Sequence, residues 1–211
     1  MITTGPRARL GGPQLVVMAR WPAAGRCKSR LAAGLGAGRA AAIQRQLSDH
    51  TLAVARRARE RIGCQLVLAV HGLGARASRR WGLELGCDRA VAQGRGGLGL
   101  RMQRQMLRAQ GEGAGRVVLI GSDLPCLESA DLEAAFEALT AASLVLGPAA
   151  DGGYWLIGLD RPRPGLMAGM PWGSPAVLAH TLAAARDLEL SPRLLRQRHD
   201  LDRAIDLAPW R

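Results

Sequence analysis

Short apolar runs alternate with longer stretches of helical periodicity along this chain, and few folds accept that alternation. Residues 14–19, 65–70 and 116–121 are runs rich in Val, Leu and Ile. Strands with no polar face must be covered on both sides, as they are inside a parallel sheet. Residues 37–61 place Ile43, Leu47, Thr51, Val54 and Ala58 at helical spacing with arginines opposite. Residues 98–110 repeat the pattern, with Leu98, Met102 and Met106 as the predicted inner face; a methionine stripe at this spacing reads as core filling. Residues 76–82 read as a short helix or turn, and 88–92, 143–147 and 154–159 as further strands. Ser129 is the expected cap of a helix carrying Asp131 and Glu133 in its first turn. Ser174-Pro175 is the expected start of a last helix, apolar on Val177, Leu178, Thr181, Leu182 and Ala185.

Strands alternating with helices predict a three-layer α/β/α sandwich around a mainly parallel, mixed sheet. The 211 residues suffice for one such core, with no repeat or internal linker in view. Residues 1–13 are polar and rich in Gly and Pro and read as a flexible tail, leaving 14–211 as the domain. The apolar stretch at 15–19 is too short for a secretory signal and runs straight into Arg20. No run approaches the roughly 20 residues that span a bilayer. Four scattered cysteines without a Cys-x-x-Cys pair argue against a metal cluster or disulfide framework, and so predict a reducing, cytoplasmic setting. The net charge of +12 invites a nucleic-acid reading, but aromatics make up only 3% of the chain and no basic stripe interleaves with them. Anionic small molecules are the better expectation.

In sheets of this kind ligands bind beyond the carboxyl ends of the strands, and the notable polar residues fall there. Lys28, the chain's only lysine, follows the first strand in a glycine-containing loop that leads into a helix with Ser29. A lone ammonium among arginines at a strand-to-helix turn suits phosphate oxygens. Gln93 follows the third strand, Asp123 the run ending at Gly121, and Asp151 the strand ending at Gly147; Asp200 and Asp202 follow Leu194-Leu195. Asp123, in Gly121-Ser122-Asp123-Leu124-Pro125, could hold Mg²⁺ or Mn²⁺ together with phosphates, or simply cap the next turn. Asp151-Gly152-Gly153-Tyr154-Trp155 combines a carboxylate, a tight turn and an aromatic pair, which reads as a substrate site or as a plain hairpin. Gly25-Arg26-Cys27-Lys28-Ser29 fails the Walker spacing. Gly94-Arg95-Gly96-Gly97-Leu98-Gly99 matches G-x-G-x-x-G, a pattern that usually occupies the first βα unit. The histidines show no triad or ligand spacing.

Taken together these motifs resemble a family of small bacterial glycosyltransferase-like proteins, DUF2064, with the GT-A nucleotide-diphospho-sugar transferase fold. Its members are often labelled arsenosugar-biosynthesis glycosyltransferases. The resemblance runs from Val16 to Leu207 and rests on Ala19-Arg20-Trp21-Pro22 through Lys28-Ser29-Arg30-Leu31, Gln93-Gly94 with Leu98-Gly99-x-Arg101, Gly121 to Pro125, Gly147 to Leu159, Trp172-Gly173-Ser174-Pro175 and Asp200-Leu201-Asp202. Ser29 stands where threonine is commoner and keeps the hydroxyl, while Gly173 interrupts what is usually Trp-Ser-Thr. The Lys-Ser-Arg-Leu element is also similar to that of phospholactate guanylyltransferases, which share the fold.

The resemblance implies transfer from a nucleotide-activated donor to a small acceptor, dependent on Mg²⁺ or Mn²⁺. It implies Asp123 and Asp202 as metal ligands, and Lys28, Ser29, Arg30, Gln93, Gly94, Gly99 and Arg101 at the nucleotide and its phosphates. Gly152, Gly153, Tyr154 and Trp172 would shape the acceptor side. Asp151 would be the general base, with Lys28 stabilising charge on the leaving diphosphate. Glycosyl transfer leads; nucleotidyl transfer with release of pyrophosphate is the alternative. A dinucleotide oxidoreductase using the Gly94 to Gly99 loop and a non-enzymatic nucleotide-binding module stay open behind them.

Overall fold

Leu15, Val16 and Val17 are consecutive in sequence and none of them touches solvent. Neighbouring strand residues point to opposite faces, so both faces of the sheet must be covered. In the computed structural model, which describes residues 11–210, Leu15 and Val17 pack with Leu52, Ala55, Trp81, Leu132 and Phe136, whereas Val16 packs with Met102, Met106 and Ala185. Residues 1–10 lie outside the described residues, and with them most of the expected N-terminal tail.

The sheet has seven strands: β1 (Gln14–Arg20), β2 (Gln65–His71), β3 (Arg89–Ala92), β4 (Val117–Ile120), β5 (Leu144–Pro148), β6 (Tyr154–Leu159) and β7 (Arg193–Leu194). Their order is β3-β2-β1-β4-β6-β5-β7. β6 runs antiparallel to both β4 and β5, and every other pairing is parallel. The predicted mainly parallel, mixed sheet is therefore what forms. Among the described residues six α-helices accompany it: α1 (Ser29–Leu35), α2 (Ala37–Ile62), α3 (Ala75–Glu84), α4 (Leu98–Gly111), α5 (Ser129–Ala138) and α6 (Val177–Asp187). Residues of α2, α3 and α5 fill the core on one face of the sheet, and residues of α4 and α6 fill it on the other. A smaller cluster of Leu31, Ala40, Leu47 and Leu201 ties α1 and α2 to the C-terminal segment.

Three local expectations need correction. Glu128, not Ser129, stands at the cap position of α5: the Asp131 side chain accepts from the Glu128 amide at 2.9 Å, and the Asp131 amide donates to the Glu128 backbone carbonyl at 3.1 Å. Asp131 was legible as a first-turn acid, but a Glu cap lies outside the usual Ser, Thr, Asp and Asn set. The helix after Ser174-Pro175 begins only at Val177, because Ser174 Oγ is taken up in a turn, accepting from the Ala176 amide at 3.3 Å. Leu98 is 39% exposed and stands at the mouth of a cavity rather than in the core, while Met102 and Met106 are buried as expected.

Because β6 is the reversed strand, the carboxyl ends of β1 to β5 and the β5–β6 hairpin turn all lie along one edge. The candidate site is built on that edge.

Candidate active site

A cavity of about 570 Å³ opens at this edge. Its floor is the strand ends and its walls are the loops that follow them. Lys28 enters it from a left-handed backbone conformation, φ 49° and ψ 52°, at the position preceding α1. Such a conformation at a residue other than glycine costs about 1 kcal/mol. The bonds its side chain makes hold it there: Nζ donates to the Leu201 carbonyl and pairs with Asp123 Oδ1 at 2.9 Å. The Leu201 amide in turn donates to the Asp123 carbonyl at 2.9 Å. The first loop, the end of β4 and the C-terminal segment thus meet at one point. The Lys28 side chain is 4% exposed and that of Asp123 48%, so the ammonium is nearly enclosed while the carboxylate remains open.

Beside this pair stand three more carboxylates on the same cavity, Asp151, Asp200 and Asp202. Asp151 Oδ1 accepts from the Gly153 amide at 2.8 Å, which fixes the turn and leaves Oδ2 outside that bond. Gly152 has φ +88°, and a Cβ there would lie 2.1 Å from the Pro175 carbonyl oxygen. Glycine is required, and the hairpin docks on the start of α6, where the Leu178 amide donates to the Gly152 carbonyl. Burial pushes the Asp200 carboxyl above its usual range, with the negative charges of Asp151 and then Asp123 adding to the effect. Asp202 is held by Arg30 at 2.8 Å, on the outer rim. The bond to Asp202 raises the pKa of the exposed Arg30 guanidinium.

The opposite end is cationic. Gln93 is 3% exposed; its amide nitrogen donates to the Ala19 and Ala69 carbonyls, and its oxygen accepts from Arg101 at 3.1 Å. Burial lowers the pKa of Arg101, as do the guanidiniums of Arg20 and Arg104. His71, at the end of β2, is lowered by burial and then by Arg101 and Arg20. Among the described residues none of Arg20, Arg101 and Arg104 forms an ion pair with a carboxylate. Crowded like charges of this kind favour an anionic guest.

The third wall is aromatic. Tyr154 and Trp172 meet edge to face, ring centroids 6.2 Å apart. Burial pushes the Tyr154 hydroxyl far above its ordinary pKa, which keeps it neutral.

Lys28, Ser29, Arg30, Gln93, Arg101, Asp123, Asp151, Gly153, Tyr154, Trp172 and Asp202 all line the one cavity. Gly94, Gly99 and Gly152 do not; each meets protein instead. A Cβ on Gly94 would lie 2.6 Å from the Arg104 guanidinium, and one on Gly99 2.7 Å from Trp172 Nε1. The G-x-G-x-x-G match thus reflects side-chain packing at its first and last glycines. The Gln93 side chain, expected at the nucleotide, is occupied with backbone and with Arg101.

Sequence reasoning gave no role to Arg20, His71, Gln44 or Ser122, and of the two C-terminal aspartates on the cavity it made Asp202 and not Asp200 the expected metal ligand. Arg20 and His71 carried a usable signal, since each ends a strand at the same edge. Gln44 carried none, lying mid-helix on α2.

Among the described residues no three His, Cys, Asp or Glu side chains form a ready metal cage. The donors do suit a hard divalent cation held jointly with a ligand's oxygens, which needs only one or two carboxylates from the protein. Asp123 has an oxygen outside the Lys28 pair, and Asp200 resists ionisation beside two other carboxylates, a conflict that a cation relieves.

The family described as "Uncharacterized protein conserved in bacteria (DUF2064)" matches residues 51–174. No curated protein matches the chain. Among solved structures it is similar to a candidate nucleotide-diphospho-sugar transferase from Desulfovibrio desulfuricans G20, with 29% identity and a TM-score of 0.80 over 92% of this chain and 84% of that one. It shares its fold with CMP:2-keto-3-deoxy-manno-octonic acid synthetase complexed with CTP, at 12% identity and a TM-score of 0.59 over 94% and 96% of the two chains. It shares it also with glucosyl-3-phosphoglycerate synthase from Mycobacterium tuberculosis in complex with Mn²⁺, uridine diphosphate and glucosyl-3-phosphoglycerate, at 14% identity and a TM-score of 0.55 over 92% and 73%.

Proposed function

The chain belongs to the DUF2064 family, and from the chemistry of its cavity we propose that it is a divalent-metal-dependent transferase that moves a glycosyl group from a nucleotide-sugar to a small acceptor. The observation that carries this reading is the enclosed Lys28 ammonium paired with the open Asp123 carboxylate at 2.9 Å, on a cavity that Asp151 and Asp200 also line. An ammonium and a carboxylate side by side suit a diphosphate that arrives with a cation: Lys28 takes a phosphate oxygen while Asp123 holds the cation. The similar Desulfovibrio protein, named for nucleotide-diphospho-sugar transfer, and the Mn²⁺ and uridine diphosphate in the synthase of the same fold support it.

Asp123, with Asp200 or Asp202, would hold the Mg²⁺ or Mn²⁺. The bound cation supplies charge neutralisation on the diphosphate as it leaves. Lys28 stabilises the same developing charge from a dry, prearranged position, and losing one such contact typically costs about 3 kcal/mol of barrier. Arg20, Arg30 and Arg101 draw the anionic donor into the cavity. Asp151 is held by the Gly153 amide through one oxygen, leaving the other to accept the proton of the acceptor hydroxyl. Tyr154 and Trp172 offer the acceptor an apolar wall on the same side.

Nucleotidyl transfer is the second reading, and Arg20 and Arg101, which line the cavity without a carboxylate partner among the described residues, favour it by offering charge for a further phosphate. Incubation with Mn²⁺ and either nucleotide-sugars or nucleoside triphosphates separates the two. Release of nucleoside diphosphate from a nucleotide-sugar supports glycosyl transfer; release of pyrophosphate from a triphosphate overturns it in favour of the second reading.

A further inference from the structure

Ser122 and Gln44 line the cavity beside Asp123, and neither has a part in the mechanism above. Both are 3% exposed, and Ser48, one turn along α2 from Gln44, is fully buried. The three form a chain whose direction can be worked out. Ser48 Oγ donates to the Gln44 backbone carbonyl at 2.9 Å. A hydroxyl has one proton, so towards the Gln44 side chain, 3.3 Å away, Ser48 can only accept. The atom facing it is therefore the amide nitrogen. That nitrogen also lies 3.2 Å from Ser122 Oγ and has a second proton to give. Ser122 is thus an acceptor towards α2, and its own proton meets no protein acceptor among the described residues. The only direction left for it is the cavity.

We infer that Ser122 is a ligand-contacting donor, giving its hydroxyl proton to a phosphate oxygen of the bound nucleotide beside Asp123, and that Gln44 is the positioning residue that holds it in the donor sense. This rests on the nucleotide-donor reading above. Gln44 suits the task because its amide can only donate on this side. A carboxylate in the same place would take the Ser122 proton for itself.

Titration calorimetry with UDP, CDP, GDP and ADP, each with Mn²⁺, tests it, with melting temperature followed in parallel. For the diphosphate that the unmodified protein binds best, Ser122→Ala should weaken binding by about tenfold, the size of one hydrogen bond to a charged group. Ser122→Thr, which keeps the hydroxyl, should stay within about twofold. Gln44→Glu should weaken binding as Ser122→Ala does, and the double variant should be no weaker than either single one. If Gln44→Glu does not fold, the Ser122 pair decides alone. A lowered melting temperature with unchanged affinity in Ser122→Ala makes the serine purely structural and overturns the proposal. If none of the four diphosphates binds the unmodified protein, the nucleotide reading itself fails and this inference falls with it.

Discussion

Lys28 is held by its partners rather than by its backbone, whose left-handed conformation favours glycine. Removing the side chain leaves the Leu201 carbonyl and the Asp123 carboxylate without their shared donor. Lys28→Ala should weaken binding of a nucleoside diphosphate between about ten- and a hundredfold by calorimetry. Lys28→Arg should not restore it, since the slot encloses a single ammonium and a guanidinium fork needs more room. His71 gives a second test at this scale. Its pKa is lowered by burial and by Arg101 and Arg20, so the folded protein resists a proton that the unfolded chain accepts. Stability is unaffected well above the ordinary histidine value of about 6.5 and is lost as the pH falls through it. Between pH 8 and pH 5.5 the melting temperature should therefore drop further in the unmodified protein than in His71→Gln. An equal drop in both would remove the Arg–His cluster as a source of acid sensitivity.

Among the elements, the β5–β6 hairpin and the start of α4 are where backbone and packing set the site. Gly152→Ala would force a Cβ to within 2.1 Å of the Pro175 carbonyl from a positive φ. It should destabilise the protein by about 2 kcal/mol or more in urea unfolding and displace Asp151 with it. Gly99→Ala is the subtler case, because the obstacle is the Trp172 ring 2.7 Å away rather than a phosphate. It should raise the apparent KM for the acceptor while leaving nucleotide affinity within about twofold. If nucleotide binding collapses instead, the glycine loop serves the nucleotide directly. The hairpin's place on the cavity was legible because Asp-Gly-Gly-Tyr combines a turn, a carboxylate and an aromatic. The job of Gly99 was not legible, since the G-x-G-x-x-G pattern looks the same whether the close neighbour is a ligand or a tryptophan.

At the scale of the whole molecule, a rule about sheets did most of the predicting. Apolar runs at fixed intervals set β1, β2 and β4, and the residues just after them had to share an edge; Lys28 and Asp123 do, 2.9 Å apart. What stayed hidden came from contacts between segments distant in sequence. Gln44 reaches Ser122 across 78 positions, and no helical pattern marks a glutamine as the one that turns inward. Asp200 and Asp202 looked alike in sequence, yet the carboxyl of one is pushed up by burial and by the charge of Asp151, while the other is taken by Arg30. No helix among the described residues is long and apolar enough to cross a membrane.

The central claim is that this edge grips a diphosphate through a cation held by Asp123. It is tested most directly by measuring nucleoside diphosphate affinity with and without Mn²⁺ in the unmodified protein and in Asp123→Asn. The account predicts that Mn²⁺ tightens binding to the unmodified protein by about tenfold or more and does nothing for the variant. The same tightening by Mn²⁺ in both proteins would contradict it.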